Sequence, residues 1–213
     1  MAIAFNKVLI PVDFSLNTEI AVKRAVGLAQ LFRRGDNGLL VGLAAIIERE
    51  GIRIVGAQDV APRLLAPLGR FGARAPSPED EADIALGAGL IDALSSFDAG
   101  QGAIVAAGRV LAIEAAEGTD AMLARVAEMR ASGRLRFAGQ VGVLVKAPKR
   151  GQDLRLDMPA IGPKTIEGAA KAQLRGAAVA AARVLIVERE RLTREADAAG
   201  LFVAGFASTG ATQ

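Results

Sequence analysis

The chain has neither cysteine nor histidine among its 213 residues. Their absence excludes disulfides, thiol nucleophiles, zinc sites built on Cys or His, and every catalytic triad that relies on imidazole. Tryptophan and tyrosine are missing as well. A basic stretch without them offers few platforms for base stacking, which argues against nucleic acid as a partner. Long apolar runs are also lacking. The best candidate, around Gly176–Val187, is flanked by Arg175 and broken by Arg183, so it cannot serve as a membrane-spanning helix. The opening MAIAFNKVLIPVDFS has no long apolar centre and no small-residue cleavage site, so it does not read as a secretory signal. A soluble, cytoplasmic protein is expected.

Apolar residues make up 52% of the chain, enough to bury a substantial core in one large domain, or in one domain with a short appendage. The groups left for chemistry are Asp, Glu, Lys, Arg, Ser and Thr. Carboxylate and phosphate oxygens suit hard cations, so Mg²⁺ or Mn²⁺ is the metal to expect. Net charge is +3, but the signs are segregated. No basic residue lies between Arg74 and Arg109, whereas Glu79, Asp80, Glu81, Asp83, Asp92 and Asp98 crowd that interval. The balance reverses from Arg134 to Arg155. This reads either as two solvated faces of opposite sign or as a basic rim for an anionic ligand or membrane surface.

Periodicity predicts a strand over Lys7–Val12, then a helix capped by Asn17 and running to Phe32. A charged, turn-rich break at Arg33–Gly38 follows. A helix is expected over Leu39–Glu50, a strand over Ile52–Val55 and an irregular connection from Pro62 to Pro78. Ser77-Pro78-Glu79-Asp80 is a strong helix start, with the helix reaching about Phe97. Gly87 and Gly89 within it suggest close backbone packing, since each costs about 1 kcal/mol against Ala. Ala103–Ala107 and Val110–Glu114 should form a hairpin around Gly108. Beyond it we expect helices over Thr119–Met129, Pro163–Leu174 and Leu192–Ala199, and strands over Val141–Val145, Val184–Val187 and Leu201–Phe206. The order implies an α/β fold, a mixed sheet with flanking helices, in which one main domain is preceded by a β-α unit.

Two segments could carry chemistry. Glu114-Ala-Ala-Glu117-Gly-Thr119-Asp120 sets three acids at the end of a strand and the start of a helix, where oxygen ligands could be held rigidly. The plainer reading makes Thr119 a cap and Asp120 a dipole partner. Lys146 to Pro159 is a loop carrying Lys146, Lys149, Arg150, Gln152, Asp153, Arg155 and Asp157. It leads into Gly162-Pro163-Lys164-Thr165, whose free backbone amides open a helix and favour an anion. Cations, an acid and a helix N-terminus so close together suit phosphoryl chemistry, with a solvated basic loop as the competing reading. Asp36 and Asn37 read as the end of a preceding helix.

The first thirty residues, with their VLIPVDFS segment, resemble the opening unit of the universal stress proteins, although no glycine-rich phosphate loop follows. From about Gly35 to Gly205 the chain resembles the C-terminal domain of the UDP-2,3-diacylglucosamine pyrophosphatases of the lipid A pathway. The resemblance is carried by GAQDV at Gly56, GQGAIV at Gly100–Val105, VLAIEAAEGTDAMLARV at Val110–Val126, VLVKAPKRGQDLRLDMPAIGPKTIEGA at Val143–Ala169 and ADAAGLFVAG at Ala196–Gly205. It divides the chain into a strand-helix unit over residues 1–32 and a pyrophosphatase domain over 33–213.

This likeness implies hydrolysis of UDP-2,3-diacylglucosamine to UMP and 2,3-diacylglucosamine 1-phosphate, with Mg²⁺ or Mn²⁺, at the inner-membrane surface. It implies water attack on the α-phosphorus and makes Asp157 the essential acid. Asp157, Glu117 and Asp120 become metal ligands and Lys146 and Lys149 bind substrate, joined, on the reading of the basic loop and helix start, by Gln152, Arg155, Lys164 and Thr165. Asp36 falls on the family's acidic turn, with Asn37 at its second aspartate. The family also carries a Rossmann-like N-terminal domain, in whose place the short unit stands, so uncovered apolar surface should drive homo-oligomerisation. Gln173 and Ala182 occupy positions where the family has glycine, and Ala180 one where it has Glu. A non-catalytic nucleotide or phosphate module, or an engineered fusion of the family's domain, are the competing readings.

Overall fold

The computed structural model describes residues 36–208. The chain divides into two compact units, one ending at Ile54 and the other beginning at Val55. In the first, helix α1 spans Asp36–Arg49. Asp36 and Asn37 thus lie within this helix, whereas the preceding helix that they were expected to end lies outside the described residues. The expected strand and helix over residues 7–32 lie outside the described residues. The expected strand over Ile52–Val55 does not form. Those residues are irregular, with Ile52 61% and Val55 46% exposed. Three apolar residues interrupted by Arg53, with no neighbouring strand to pair among the described residues, do not make a ladder.

In the second unit, a short helix α2 (Ala57–Val60) and a 3₁₀ turn (Pro62–Leu64) precede β1 (Gly69–Arg70). Helix α3 (Pro78–Leu94) begins as its sequence requires: Ser77 Oγ accepts from the Asp80 amide, and Asp80 Oδ2 accepts from the Ser77 amide at 2.9 Å. A 3₁₀ turn at Ser95–Phe97 extends it. The hairpin β2 (Gly102–Ala106) and β3 (Arg109–Ile113) follows. Its turn is held by buried Asp83, which accepts from the amides of Ala107 at 2.9 Å and Gly108 at 2.7 Å. Then come α4 (Gly118–Ala131), β4 (Val143–Lys146), β5 (Ala160–Ile161), α5 (Pro163–Lys171), β6 (Gly176–Ala180), β7 (Leu185–Ile186), α6 (Arg189–Ala198) and β8 (Phe202–Phe206).

One sheet has the order β1-β8-β6-β4-β2-β3, and β5 pairs with β7 in a second, two-stranded one. Strands β4, β6 and β8 run parallel, whereas β2 is antiparallel to β4 and to β3. The sheet is mixed and flanked by helices, as expected. Its centre is covered on both faces. At Gly87 of α3 a Cβ would lie 2.7 Å from Val145 and 3.4 Å from Val105, so the missing side chain lets the helix settle on the sheet. Ile104 and Leu144, next in each strand, point to the other face and are equally buried. Gly89, by contrast, meets nothing, so the close packing expected at both glycines occurs only at Gly87.

The central strand β6 is the main correction. The reading placed a strand only at Val184–Val187, which proves to be the two-residue β7 of the small sheet. Gly176–Ala180 is fully buried between β4 and β8. Its composition, Gly-Ala-Ala-Val-Ala, carries little β-propensity, and a strand buried on both faces shows no alternation.

Candidate functional site

The carboxyl ends of β4, β6 and β8 open into a cleft of about 1000 Å³, roofed by α3. Clefts of α/β sheets form at this place because helices cover both faces and leave only the strand ends open. Its apolar wall includes Ile84, Ala88 and Ile91 of α3 with Ala178 and Phe206, and its cations are Arg70, Lys149, Arg150 and Arg183.

The two charge blocks seen in the sequence meet here. Arg150 Nε donates to Asp92 Oδ1 at 2.9 Å, and its Nη2 reaches Asp92 Oδ2. Lys149 Nζ pairs with Asp98, and the Arg150 amide donates to Ser95 Oγ at 2.8 Å. The acidic helix end thus holds the basic loop. The Arg150 guanidinium keeps the Asp92 carboxyl below the usual carboxylate range, and Asp92 in turn raises Arg150. Two further acids of the interval, Asp80 and Asp83, are used structurally. Asp80 is 2% exposed and Asp83 4%, so the picture of two solvated faces does not describe them.

Asp157 is half-buried in the loop after β4. Its Oδ2 accepts from Gln101 Nε2 at 2.7 Å and from Gln152 Nε2 at 2.6 Å. Among the described residues, its Oδ1 accepts nothing. Gln152 Oε1 accepts from the Lys149 amide at 2.9 Å, so one buried side chain links Asp157 to a residue of the cleft lining. Arg155, a conceivable structural partner, lies instead on Asp153 at 2.7 Å and holds that carboxyl below the usual carboxylate range, so it stays ionised further into acid.

The remaining expected site residues are dispersed. Lys146 is 5% exposed, and its Nζ sits 3.4 Å from Glu114 Oε2 and against Thr119 Oγ1. Glu114, 7% exposed, also accepts from Thr119 Oγ1 at 2.7 Å. Thr119 therefore joins a buried ion pair and does not cap α4. Lys164 is exposed and pairs with Asp120 at 2.7 Å, an interaction that raises the lysine. Thr165 Oγ1 accepts from the Gly162 amide at 3.3 Å. Glu117 pairs with Arg125 at 3.1 Å.

The three expected metal ligands, Asp157, Glu117 and Asp120, do not converge. No group of three or more carboxylates that could hold a metal occurs among the described residues. A metal cage built wholly from protein does not fit this donor set. The open Oδ1 of Asp157 fits only a cation held mainly by phosphates and water.

Sequence reasoning overlooked Gln101, Asp92 and Asp98. Asp92 and Asp98 showed only as part of the acidic interval, and Gln101 had the signal of lying between two glycines that the chain needs for close approach. A Cβ at Gly100 would sit 2.5 Å from Glu114 O, and one at Gly102 would sit 2.5 Å from Glu114 Oε2. Two positions marked as departures from the family's glycines also show themselves here. Gln173 has φ +53° and Ala182 φ +58°, left-handed conformations that glycine adopts without strain.

Residues 67–204 match the model of the LpxI C-terminal domain. The chain is 46% identical over 173 residues to UDP-2,3-diacylglucosamine pyrophosphatase LpxI of Caulobacter vibrioides. That alignment covers 81% of this chain and 62% of the relative. No helix among the described residues is long and apolar enough to cross a membrane.

Proposed function

Because the chain belongs to the LpxI C-terminal domain family, we propose that it hydrolyses the pyrophosphate of UDP-2,3-diacylglucosamine, releasing UMP and 2,3-diacylglucosamine 1-phosphate. The observation that carries the reading is the state of Asp157: a carboxylate fixed through one oxygen by two neutral amides, with the other oxygen open. Neutral donors orient the group without cancelling its charge.

In the proposed reaction a water oxygen bonds to the α-phosphorus as the bridging P–O bond breaks. The water proton passes to Asp157 Oδ1, and the leaving phosphate takes the bridging oxygen with its electron pair. Lys149, Arg150, Arg70 and Arg183 offset the charge that gathers on the phosphoryl oxygens. Lys149 and Arg150 rest on Asp98 and Asp92, so an incoming pyrophosphate competes with two carboxylates for them. The apolar wall of α3 gives the acyl chains a dry surface. Mg²⁺ or Mn²⁺ arriving with the pyrophosphate, held by phosphate oxygens and water, would add charge neutralisation.

Work at the inner face of the membrane belongs to the same proposal, since the substrate is a lipid. Val60, Leu68 and Phe97 are 71%, 69% and 77% exposed and are available to a bilayer or to a second copy. Sedimentation at micromolar concentration should show self-association, and a clean monomer refutes that part. The main test is UMP release from the lipid. Asp157→Asn should lower turnover by roughly a hundredfold or more while the melting temperature stays near the parent's. A destabilised variant with parental turnover per folded molecule removes Asp157 from the reaction.

A further inference from the structure

We infer that Gln101 is a positioning residue that fixes the rotamer of Asp157 and so keeps Oδ1 as the reacting oxygen. This inference rests on the pyrophosphatase reading for its catalytic consequence, but the brace itself is a property of the unliganded chain.

The backbone at Gln101 is pinned on both sides. The Gly100 amide donates to Glu114 O at 3.0 Å, and the Glu114 amide donates to Gly102 O at 2.8 Å. Gln101's own carbonyl accepts from the Ala147 amide at 3.0 Å, tying it to the end of β4. Glu114 fills the space beside Gly100 and Gly102, where any Cβ would lie 2.5 Å from one of its atoms. The side chain between these glycines extends to Asp157, 56 positions further along the chain.

A carboxylate only accepts, so the amide of Gln101 must present its nitrogen whichever way the group is first drawn. The same holds for Gln152, whose oxygen is committed to the Lys149 amide. Both donors fall on Oδ2. Without Gln101, a single side-chain donor to the carboxylate, Gln152 of the same loop, would remain, and rotation about the Cβ–Cγ bond could exchange the two oxygens. Misplacing a reacting atom by about 1 Å can cost on the order of a hundredfold in rate.

The test pairs a kinetic cycle with a spectrum. Gln101→Ala should lower kcat about ten- to a hundredfold with KM within about threefold of the parent's. In an Asp157→Asn background the same substitution should cause no further loss. An equal loss in both backgrounds, or parental kcat in Gln101→Ala, overturns the inference. In the unliganded protein, the side-chain amide resonances of Gln101 and Gln152 should both move on Asp157→Ala. If Gln101's amide does not move, the brace does not exist and the inference falls, whatever the kinetics. A parent that releases no UMP refutes the pyrophosphatase reading, and the amide shifts then decide the brace alone.

Discussion

Lys146 was expected to bind substrate, yet its ammonium lies inside the protein with Glu114 and Thr119. Lys146→Met tests which account holds. The substitution keeps the apolar stem and removes the charge, leaving Glu114 ionised, 7% exposed and without its cation. Breaking a buried pair from one side costs about 3–5 kcal/mol, because the remaining charge stays desolvated. For a unit of this size each kcal/mol lowers the melting temperature by roughly 2–4 °C, so a fall of about 6–20 °C is expected by calorimetry. Adding Glu114→Gln should recover most of the loss, since no buried charge is then left. Turnover per folded molecule should stay close to the parent's in both variants. An unchanged melting temperature in Lys146→Met refutes the argument. A collapse of kcat in a fully stable variant returns Lys146 to the substrate.

Ala182→Gly should raise the melting temperature by roughly 1–4 °C: the left-handed backbone at φ +58° strains a Cβ by about 1–2 kcal/mol, partly offset by glycine's greater unfolded entropy. A lower melting temperature would show that the turn is relaxed. The Asp92–Arg150 contact sets a pH response. Its carboxyl is depressed in the folded state, so its contribution is present above the ordinary aspartate value and lost as pH falls through the folded one. Parent and Asp92→Asn should therefore differ in stability above about pH 4 and converge in stronger acid. A gap that persists at about pH 2 would mean the contact is not ionic.

How legible the molecule was in its sequence follows from where the signals are local. The start of α3 was readable because Ser77, Pro78 and Asp80 act on one another within a single turn. The β2–β3 hairpin was readable because Gly108 punctuates two apolar runs. Strand β6 was not, because its alanines express no strand preference and its neighbours are distant in sequence. The site divides the same way. Asp157 and its loop were recognisable as motifs, whereas the pairing of Lys149 and Arg150 with Asp98 and Asp92 joins segments more than fifty residues apart. Lys146 looked like its neighbour Lys149, but Lys146 is the last residue of β4 and turns inward to Glu114, whereas Lys149 lies in the loop beyond the strand, and only Lys149 reaches the cleft.

The order of strands also has a temporal meaning. Strand β8 is the last of the sheet in sequence but lies between β1 and β6, and among the described residues β1 pairs with nothing else. While the chain emerges from the ribosome, residues 69–70 must wait without a ladder until those of 202–206 appear. Over the same interval β6 shows an unpaired, wholly apolar edge, the kind that recruits foreign strands. A stall or cleavage between α6 and β8 would therefore yield an aggregating fragment instead of a smaller working protein.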